Sequence, residues 1–298
     1  MPELPEVETV RRRLAPVLEG RVLEGVDISD ARLTRPLDPH EVAAELLGER
    51  VATLDRRGKY LIVRFESGRA LVVHLRMTGS FLHVKDDGLP DDPHRRATVT
   101  LDDGSQVAYR DVRRFGTWLL LEPDEVDDYI DARVGREPLE AAYRARHLAE
   151  RLAGRRTSIK AVLLDQRSIA GVGNIYADEA LWRARIHPLT PASALDAEQA
   201  KALHRSVRQS LQAGIRRQGS TLRDYRLPDG EAGGAQHEFK VYGRGGEPCE
   251  RCGTPIEKIR VAGRGTWYCP ACQQLEPGYA AASRSPSRPS RSRRHSSV

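Results

Sequence analysis

The chain has 298 residues, of which 39% are hydrophobic, so it is long enough for about two domains with apolar cores. It has no run of about 18 apolar residues and no basic stretch leading into an apolar one near its start. This pattern excludes a transmembrane helix and a secretory signal, and it predicts a cytoplasmic protein without a membrane partner. The net charge of +6 points to nucleic acid, but five Arg and one Glu in residues 276–298 supply +4 of it.

The first residues, Met1-Pro2-Glu3-Leu4-Pro5-Glu6, precede an apolar pattern of helical spacing over residues 5–19. If Met1 is removed, Pro2 carries a secondary amine at the positive end of a helix, which disfavours the protonated form. Such an amine can attack a sugar or carbonyl carbon and form an iminium ion, as lysine amines do in Schiff-base enzymes. The same residues also fit an ordinary helix start, in which Glu3 and Glu6 complement the helix dipole.

Short alternating apolar segments separated by turns follow, and they predict a β-sandwich or barrel. These predicted strands cover residues 21–28, 51–55, 60–65, 70–75, 81–84, 98–101, 106–109 and 117–121. A short helix is predicted at 40–47 and a loop at 85–95. After residue 122 the spacing becomes helical, with predicted helices over 124–132, 139–152, 157–164, 174–184 and 196–218. Residues 219–234 are rich in Gly, Asp and Arg and predict a mobile loop.

All four cysteines lie near the end of the chain, in two Cys-x2-Cys pairs separated by sixteen residues: Cys249, Cys252, Cys269 and Cys272. Two turns that each supply two thiolates complete a tetrahedral shell, which predicts a zinc ribbon whose single zinc ion is structural. The turn between the pairs presents Arg264 next to other basic residues and could contact a DNA backbone. A solvated basic tip on a metal-stabilised fold is the alternative. The Ser/Arg/Pro composition after residue 276 predicts disorder.

Two further motifs suggest contact with an anion. Gly171-Val172-Gly173-Asn174 predicts a turn between helices in which Asn174 is the N-cap, and N–H groups at such a helix start bind phosphate. A plain corner between helices explains the same residues. Lys59 stands at a strand start, where a lysine is either functional or simply solvated.

Two turns at strand ends carry apolar residues beside arginines. Met77 follows the strand at 70–75, and Arg113 and Phe115 follow the strand at 106–109. An arginine next to an apolar wedge can open a base stack and occupy the gap. The alternatives are that Met77 fills the core and that the second turn is a salt-bridged β-turn with a core Phe.

Taken together, these motifs resemble, in the same order, those of bacterial formamidopyrimidine-DNA glycosylases of the Fpg/Nei family. The resemblance spans residues 2 to about 275. The matching motifs are the first nine residues, Arg-Gly-Lys59-Tyr-Leu, His-Leu-Arg-Met-Thr-Gly from His74, Asp-x-Arg-Arg-Phe-Gly from Asp111, Gly-Val-Gly-Asn-Ile-Tyr-Ala from Gly171 and the four-cysteine ribbon.

The resemblance implies a monomeric, bifunctional base-excision repair enzyme. Such an enzyme removes 8-oxoguanine and formamidopyrimidines from damaged double-stranded DNA and then cuts the strand by β,δ-elimination. The implied fold is α+β, and the expected division of the chain follows. Residues 1–122 would form a catalytic β-sandwich with flanking helices, 138–235 a helix–two-turn–helix domain, 236–275 a zinc finger and 276–298 a disordered basic tail.

The resemblance also implies roles for individual residues. Pro2 would be the nucleophile at C1′, Glu3 the acid that protonates the opening sugar, Lys59 the group for β-elimination and Arg264 the group for δ-elimination. His94, Arg113, Arg155 and Asn174 would bind the DNA backbone or the orphaned base. Met77 and Phe115, with Arg113, would fill the gap left by the flipped nucleotide.

Two departures from the family pattern concern specificity. Val112 replaces a Pro that is common in the family, and residues 219–237 lack a common Gly-Tyr-Phe before the last strand. The second change lies in a loop expected to cover the flipped purine, so the range of lesions stays open. One alternative is an endonuclease VIII-like enzyme for oxidised pyrimidines, although Pro-Glu-Leu-Pro-Glu favours the purine enzymes. Another is a non-catalytic binder of damaged DNA.

Overall fold

The computed structural model describes residues 1–85, 88–276 and 279. Apart from residues 276 and 279, the predicted disordered tail at 276–298 lies outside the described residues, as do residues 86–87 of the predicted loop. Within the described part, no helix combines the length and the hydrophobicity that crossing a bilayer requires.

The first helix, α1, spans Leu4–Leu18, close to the predicted 5–19. The Glu3 N–H donates to Glu6 Oε2 at 2.9 Å, so the side chain of Glu6 caps the helix start. Val7, Val10 and Leu14 of α1 lie in the core of the N-terminal half. Leu4 instead belongs to the apolar core of the helical half, and its N–H donates to Gly171 O at 3.0 Å. The helix therefore joins both halves of the protein.

Two four-stranded antiparallel sheets follow α1 and enclose a shared apolar core, which confirms the predicted β-sandwich. One sheet has the order β1-β6-β7-β5 and the other β2-β3-β4-β8. The strands are β1 Leu23–Ile28, β2 Val51–Arg57, β3 Tyr60–Phe65, β4 Ala70–His74, β5 Gly79–Val84, β6 Arg95–Leu101, β7 Gln106–Asp111 and β8 Thr117–Leu121. The short helix α2 spans Pro39–Leu46.

The second half is helical, as the spacing predicts. Its helices are α3 Val126–Asp131, α4 Ala145–Leu152, α5 Ile159–Leu164, α6 Asn174–Ala184 and α7 Ala197–Arg216. The predicted helix over 139–152 is too long, because α4 begins only at Ala145. The carbonyl groups of Pro138 and Glu140 accept hydrogen bonds from the Arg208 side chain of α7, which holds this segment as a turn.

The chain ends in the predicted ribbon, formed by β9 Glu257–Val261 and β10 Arg264–Tyr268. The two strands pair antiparallel, and Arg264 faces Val261 across a two-residue turn. Both turn residues have positive φ, 48° for Ala262 and 75° for Gly263, as in the tight turns that suit a twisted hairpin. Arg264 therefore lies at the tip of the ribbon.

The segment predicted as a mobile loop, 219–234, is held in place by contacts at its two ends and in its middle. Ser220 and Gly234 form a β-bridge, and the Gly234 N–H donates to Arg217 O at 2.8 Å. Tyr225 and Leu227, in the middle of the segment, lie in the sandwich core with exposed fractions of 7% and 0%. Only two apolar side chains make this contact, so the composition of the segment, which is poor in apolar residues, did not predict it.

Candidate active site

Two adjoining cavities lie where the start of α1, the sandwich, α6 and the ribbon meet. The larger, of about 380 Å³, is lined by Pro2, Met77 and Arg113 among the residues predicted for the site. The smaller, of about 180 Å³, is lined by four more of the predicted site residues, Glu3, Lys59, Asn174 and Arg264, and also by Met77. Both cavities also share Met1, Ile175, Leu222 and Tyr242. The structure therefore brings the four predicted catalytic residues to one place.

Glu3 is almost fully buried, with 1% of its surface exposed, at the N-terminus of α6. Its carboxylate accepts hydrogen bonds from the N–H groups of Gly173 at 2.8 Å, Ile175 at 2.9 Å and Tyr176 at 3.4 Å. Burial raises the pKa of Glu3 above its ordinary value, against the lowering effect of nearby Lys59. A side chain at Gly173 would occupy the space of the Glu3 carboxyl group, so this turn requires a glycine.

The structure corrects one prediction about Asn174, because the N-cap of α6 is Gly173 and Asn174 is the first helical residue. The N–H groups of Gly173, Ile175 and Tyr176 bond to Glu3, whose carboxylate occupies this positive helix end. The N–H of Asn174 is not one of these three, so its contact with phosphate stays a prediction. The side-chain amide of Asn174 donates to Gly265 O at 2.9 Å and so contacts the ribbon.

Glu6 is the site residue that sequence reasoning assigned least well, since it was interpreted as a dipole partner. Its Oε1 accepts from Tyr176 Oη at 2.8 Å and from the Ser220 N–H at 2.8 Å, while its Oε2 caps Glu3. It thereby connects α1, α6 and the 219–234 loop at the edge of the larger cavity. The only signal for this role of Glu6 in the sequence is its proximity to Glu3, because its partners Tyr176 and Ser220 lie far along the chain.

Lys59 follows the β2–β3 turn at Gly58 and is buried, with 5% of its surface exposed. Burial lowers the pKa of Lys59, Arg264 lowers it further, and the charges of Glu3 and Glu6 oppose the shift. The neighbouring His74 is also buried, and its pKa falls to about 3 mainly through burial, so it is neutral at physiological pH. The interpretation of Lys59 as a solvated lysine is therefore wrong.

Arg264 owes its position to a buried ion pair beneath the ribbon tip. Lys160 Nζ and Asp178 Oδ1 are 2.6 Å apart and both side chains are fully buried. Lys160 also donates to Thr266 Oγ1 at 2.7 Å, and Asp178 Oδ2 accepts from the Trp267 N–H at 3.1 Å. These bonds attach β10 to α5 and α6 just beyond Arg264.

The turn after β7 presents Arg113 and Phe115 towards solvent. Phe115 is 52% exposed and the Arg113 guanidinium lies 4.7 Å from the centre of its ring, so the alternative of a core Phe is wrong. The buried carboxylate of Asp111 accepts from the N–H groups of Arg113, Phe115 and Gly116 and fixes the turn. Met77, which borders both cavities, is only partly buried.

Besides Phe115, two predicted DNA-binding residues lie outside the linings of both cavities. His94 precedes β6, its N–H donates to Asp92 Oδ1 at 2.8 Å, and its carbonyl accepts from the Asp111 N–H at 3.0 Å. Arg155 follows α4, and its guanidinium pairs with Asp165 at 3.3 Å. Both would have to meet a ligand that extends beyond the cavities.

The four cysteine thiols form a compact donor set, with every pair of sulfur atoms within 4.8 Å. Four thiolates around zinc at about 2.3 Å lie roughly 3.8 Å from one another in a tetrahedron, so the arrangement fits this ion. The Trp182 indole N–H donates to Cys249 Sγ at 3.4 Å, a bond that suits a ligating thiolate. One structural zinc ion therefore belongs to this ribbon.

Family models match three parts of the chain. The formamidopyrimidine-DNA glycosylase N-terminal domain matches residues 1–118, and the H2TH domain of the same glycosylase matches residues 134–226. A zinc finger found in FPG and IleRS matches residues 246–275. The chain is 46% identical over 276 residues to the formamidopyrimidine-DNA glycosylase of Geobacillus kaustophilus, covering 92% of this chain and 100% of that protein. The Bacillus subtilis glycosylase is 43% identical, with 92% and 99% covered.

Solved structures of glycosylases bound to DNA agree with the fold. A variant of the Lactococcus lactis enzyme in complex with Fapy-dG-containing DNA superposes with a TM-score of 0.86 at 40% identity, covering 92% of this chain and 100% of that one. A complex of MutM with DNA containing carbocyclic 8-oxo-G gives 0.85 and 40% over the same shares. Sequence and structure agree over nearly the whole chain, and so the chain belongs to the formamidopyrimidine-DNA glycosylase family.

Proposed function

We propose that this protein is a bifunctional DNA glycosylase and AP lyase of base excision repair, which removes oxidised purines from damaged double-stranded DNA. One observation carries the proposal: Pro2, Glu3, Lys59 and Arg264 border two adjoining cavities, and Arg264 reaches the smaller one from the tip of the four-cysteine ribbon. The solved relatives bound to Fapy-dG and 8-oxo-G DNA support this substrate class. We place the enzyme in the cytoplasm, as a monomer.

The chemistry begins at the Pro2 nitrogen, which is an amide until Met1 is removed. The free amine bonds to C1′ of the damaged nucleotide while the glycosidic bond breaks, and the base leaves with the bonding electrons and takes up the proton that the amine nitrogen loses. Glu3 gives a proton to the ring oxygen, so the sugar opens and an iminium forms between Pro2 and C1′. Its raised pKa favours the protonated carboxyl group that this step needs.

Strand cleavage follows from the same intermediate, because the iminium makes the C2′ proton acidic. Lys59 in its neutral form removes this proton as the 3′ phosphate leaves, and the lowered pKa of Lys59 favours that form. Arg264 assists loss of the 5′ phosphate in δ-elimination. An active site that used only water as its nucleophile would not explain a buried lysine near the terminal amine.

DNA would lie across the two halves of the protein, a catalytic sandwich over residues 1–122 and a helix–two-turn–helix domain over 138–235, with the finger at 236–275. His94 and Arg113 would contact the strand from the first half, and Arg155 and Asn174 from the second. Met77 and Phe115 would enter the stack beside Arg113 once the damaged nucleotide has flipped out. The exposure of Phe115 supports that role, since an apolar ring in water gains by insertion between bases.

Borohydride trapping on lesion-containing duplexes tests the proposal. We expect a covalent adduct with 8-oxoguanine DNA and almost none for Pro2→Gly. A form that retains Met1 is the matched control, because it keeps every side chain and blocks only the Pro2 nitrogen. Intact-mass analysis identifies which form is present. An equal adduct yield from the Met1-retaining form would refute Pro2 as the nucleophile.

Oxidised pyrimidines are the second candidate substrate. The Lactococcus lactis enzyme, 39% identical to this chain, has been solved in complex with DNA containing an oxidised pyrimidine. The same trapping assay with thymine glycol separates the two classes, and faster trapping there than on 8-oxoguanine would favour the pyrimidine assignment. Absence of any adduct on either lesion would leave only a damaged-DNA binder.

A further inference from the structure

Glu137 belongs to the segment that joins α3 to α4, yet its carboxylate is 3% exposed and reaches the β2–β3 turn. Both of its oxygens accept from the Arg56 guanidinium, at 2.9 Å and 3.0 Å, in a bidentate pair. Oε1 also accepts from the Gly58 N–H. The Glu137 carboxylate thus fixes Arg56 and Gly58, and Gly58 immediately precedes Lys59.

Arg56 extends this contact to α1. Its Nε donates to Glu8 Oε2 at 3.1 Å, and its Nη1 donates to Gly58 O at 2.9 Å. Glu8 lies five residues after Glu3, about one and a half turns of helix. The Arg56 side chain therefore joins the helix that follows Pro2 to the turn that contains Lys59. The Arg56 side chain is only 10% exposed, which shields the bonds from water.

The β2–β3 turn has few alternative backbone conformations. Gly58 has φ of +58°, and a Cβ there would lie 3.0 Å from Val134 Cγ1 and 3.6 Å from Ala170 Cβ. Burying an ion pair of this kind contributes little net stability, because desolvation offsets the Coulomb attraction. A geometric role explains its presence better, since catalytic groups need positions fixed to within about 0.5 Å.

We propose that Glu137, acting through Arg56 and the Gly58 N–H, is a positioning residue for Lys59, and that strand cleavage depends on it. This inference rests on the proposed role of Lys59 in β-elimination. Glu137 itself does not touch the cavities, so its effect on the reaction passes through the turn.

The chain provides a matched control in the adjacent pair. Arg57 and Glu140 also join β2 to the α3–α4 segment, with Nη1 and Oε1 at 3.4 Å. Glu140 is 58% exposed at its side chain, so this pair is open to water and screened. Glu140→Gln removes the same charge from the same segment without disturbing the Lys59 turn.

The experiment measures single-turnover β-elimination on a preformed abasic site as a function of pH, for the full-length zinc-loaded protein. The titratable groups that face Lys59 are Glu3 and Glu6 of α1, His74 of β4 and Arg264 of β10. We expect Glu137→Gln to slow elimination about 10- to 100-fold and to shift its pH profile, since a displacement of about 1 Å can cost 100-fold. Glu140→Gln should stay within about twofold of wild type and keep the profile.

Combining variants shows whether Glu137 acts through Lys59. The double variant Lys59→Met/Glu137→Gln should be no slower than Lys59→Met alone, because the positioned group is already absent. An equal further loss on the Lys59→Met background would overturn the inference, and so would a wild-type rate for Glu137→Gln. A wild-type rate for Lys59→Met would instead refute the proposed role of Lys59, on which the inference rests.

A second variant keeps the test decisive if Glu137→Gln folds poorly. Arg56→Lys retains the positive charge but cannot make the bidentate pair and the bond to Glu8 together. We expect the same slow elimination and the same shifted profile, with trapping of the Schiff base within about threefold of wild type. A wild-type profile for well-folded Arg56→Lys would overturn the positioning role.

Discussion

The proton affinity of the Lys59 amine depends on its burial and on the charges around it in the folded protein. A lysine in water is almost wholly protonated at neutral pH. Here burial and the charge of Arg264 favour the neutral amine, while Glu3 and Glu6 favour the ammonium ion, and the net result is a lowered pKa. A neutral amine beside an iminium can accept the C2′ proton, which links the burial of one residue to strand cleavage.

We therefore predict that the β-elimination rate rises with pH through the lowered pKa of Lys59. The sign follows from the mechanism, because the reactive form is the unprotonated one and its fraction grows as pH increases. Lys59→Met should remove this limb and lower the rate about 100- to 10,000-fold, the usual contribution of a general base. Lys85→Met, at an exposed lysine, is the control. A rising limb that persists in Lys59→Met would assign it to another group.

Sequence motifs predict the residues whose proposed function depends on their chemical type, but not the residues whose position depends on distant contacts. Pro2, Lys59 and the cysteines carry distinctive chemistry and could be recognised from sequence. Glu6 could not, because its partners Tyr176 and Ser220 lie 170 and 214 positions away. No local pattern reports a hydrogen bond across that separation.

The ribbon is the element whose position depends most on a single ion. Its strands β9 and β10 contribute little apolar surface, and its cluster with Trp182 contains two of the zinc ligands, Cys249 and Cys269. Without the zinc bonds to its four cysteines, we expect the hairpin to lose the contacts that hold residues 265–267 on Lys160 and Asp178. Zinc would then act on the site through the position of Arg264.

Chelation of zinc should change the product of strand cleavage. We expect the δ-elimination product to fall at least tenfold while β-elimination persists, since Lys59 belongs to the sandwich and Arg264 to the ribbon. Gel analysis of both ends, with zinc loss verified by metal analysis, checks this outcome. Arg264→Ala with zinc bound is the matched control and should give the same products. Unchanged δ-product after zinc loss would contradict the role of the ribbon tip.

Elements were predicted well where side-chain spacing decides them. The strand β3 and the helix α6 have the predicted bounds, because alternation and helical periodicity follow from which face is buried. The prediction of helix over 139–144 was wrong, since the Glu140 carbonyl group in this segment bonds to Arg208 of another helix. The 219–234 loop likewise depends on Tyr225 and Leu227 reaching a core formed much earlier in the chain.

On the scale of the whole molecule, α1 connects the two halves because its side chains belong to both apolar cores. Leu4 packs in the helical core and Val7 in the sandwich core. The carboxylates of Glu3 and Glu6 bond to Gly173 and Ser220 of the second half, and the carboxylate of Glu8 bonds to Arg56 of the sandwich. Pro2, the proposed nucleophile, thus lies at the junction between the halves, where a duplex that contacts both would meet it.

A duplex held by both halves predicts how binding depends on salt. Arg113 belongs to the first half and Arg155 to the second, and each phosphate contact contributes about 0.9 to the slope of log K against log salt concentration. Arg113→Ala and Arg155→Ala should each reduce that slope by about 0.9, and the double variant by roughly 1.8. Fluorescence anisotropy with an undamaged duplex measures it. Arg21→Ala is the control, because Arg21 pairs with Asp103 at 3.0 Å much as Arg155 pairs with Asp165. A slope that changes for only one of the two arginines would mean that only one half contacts the backbone.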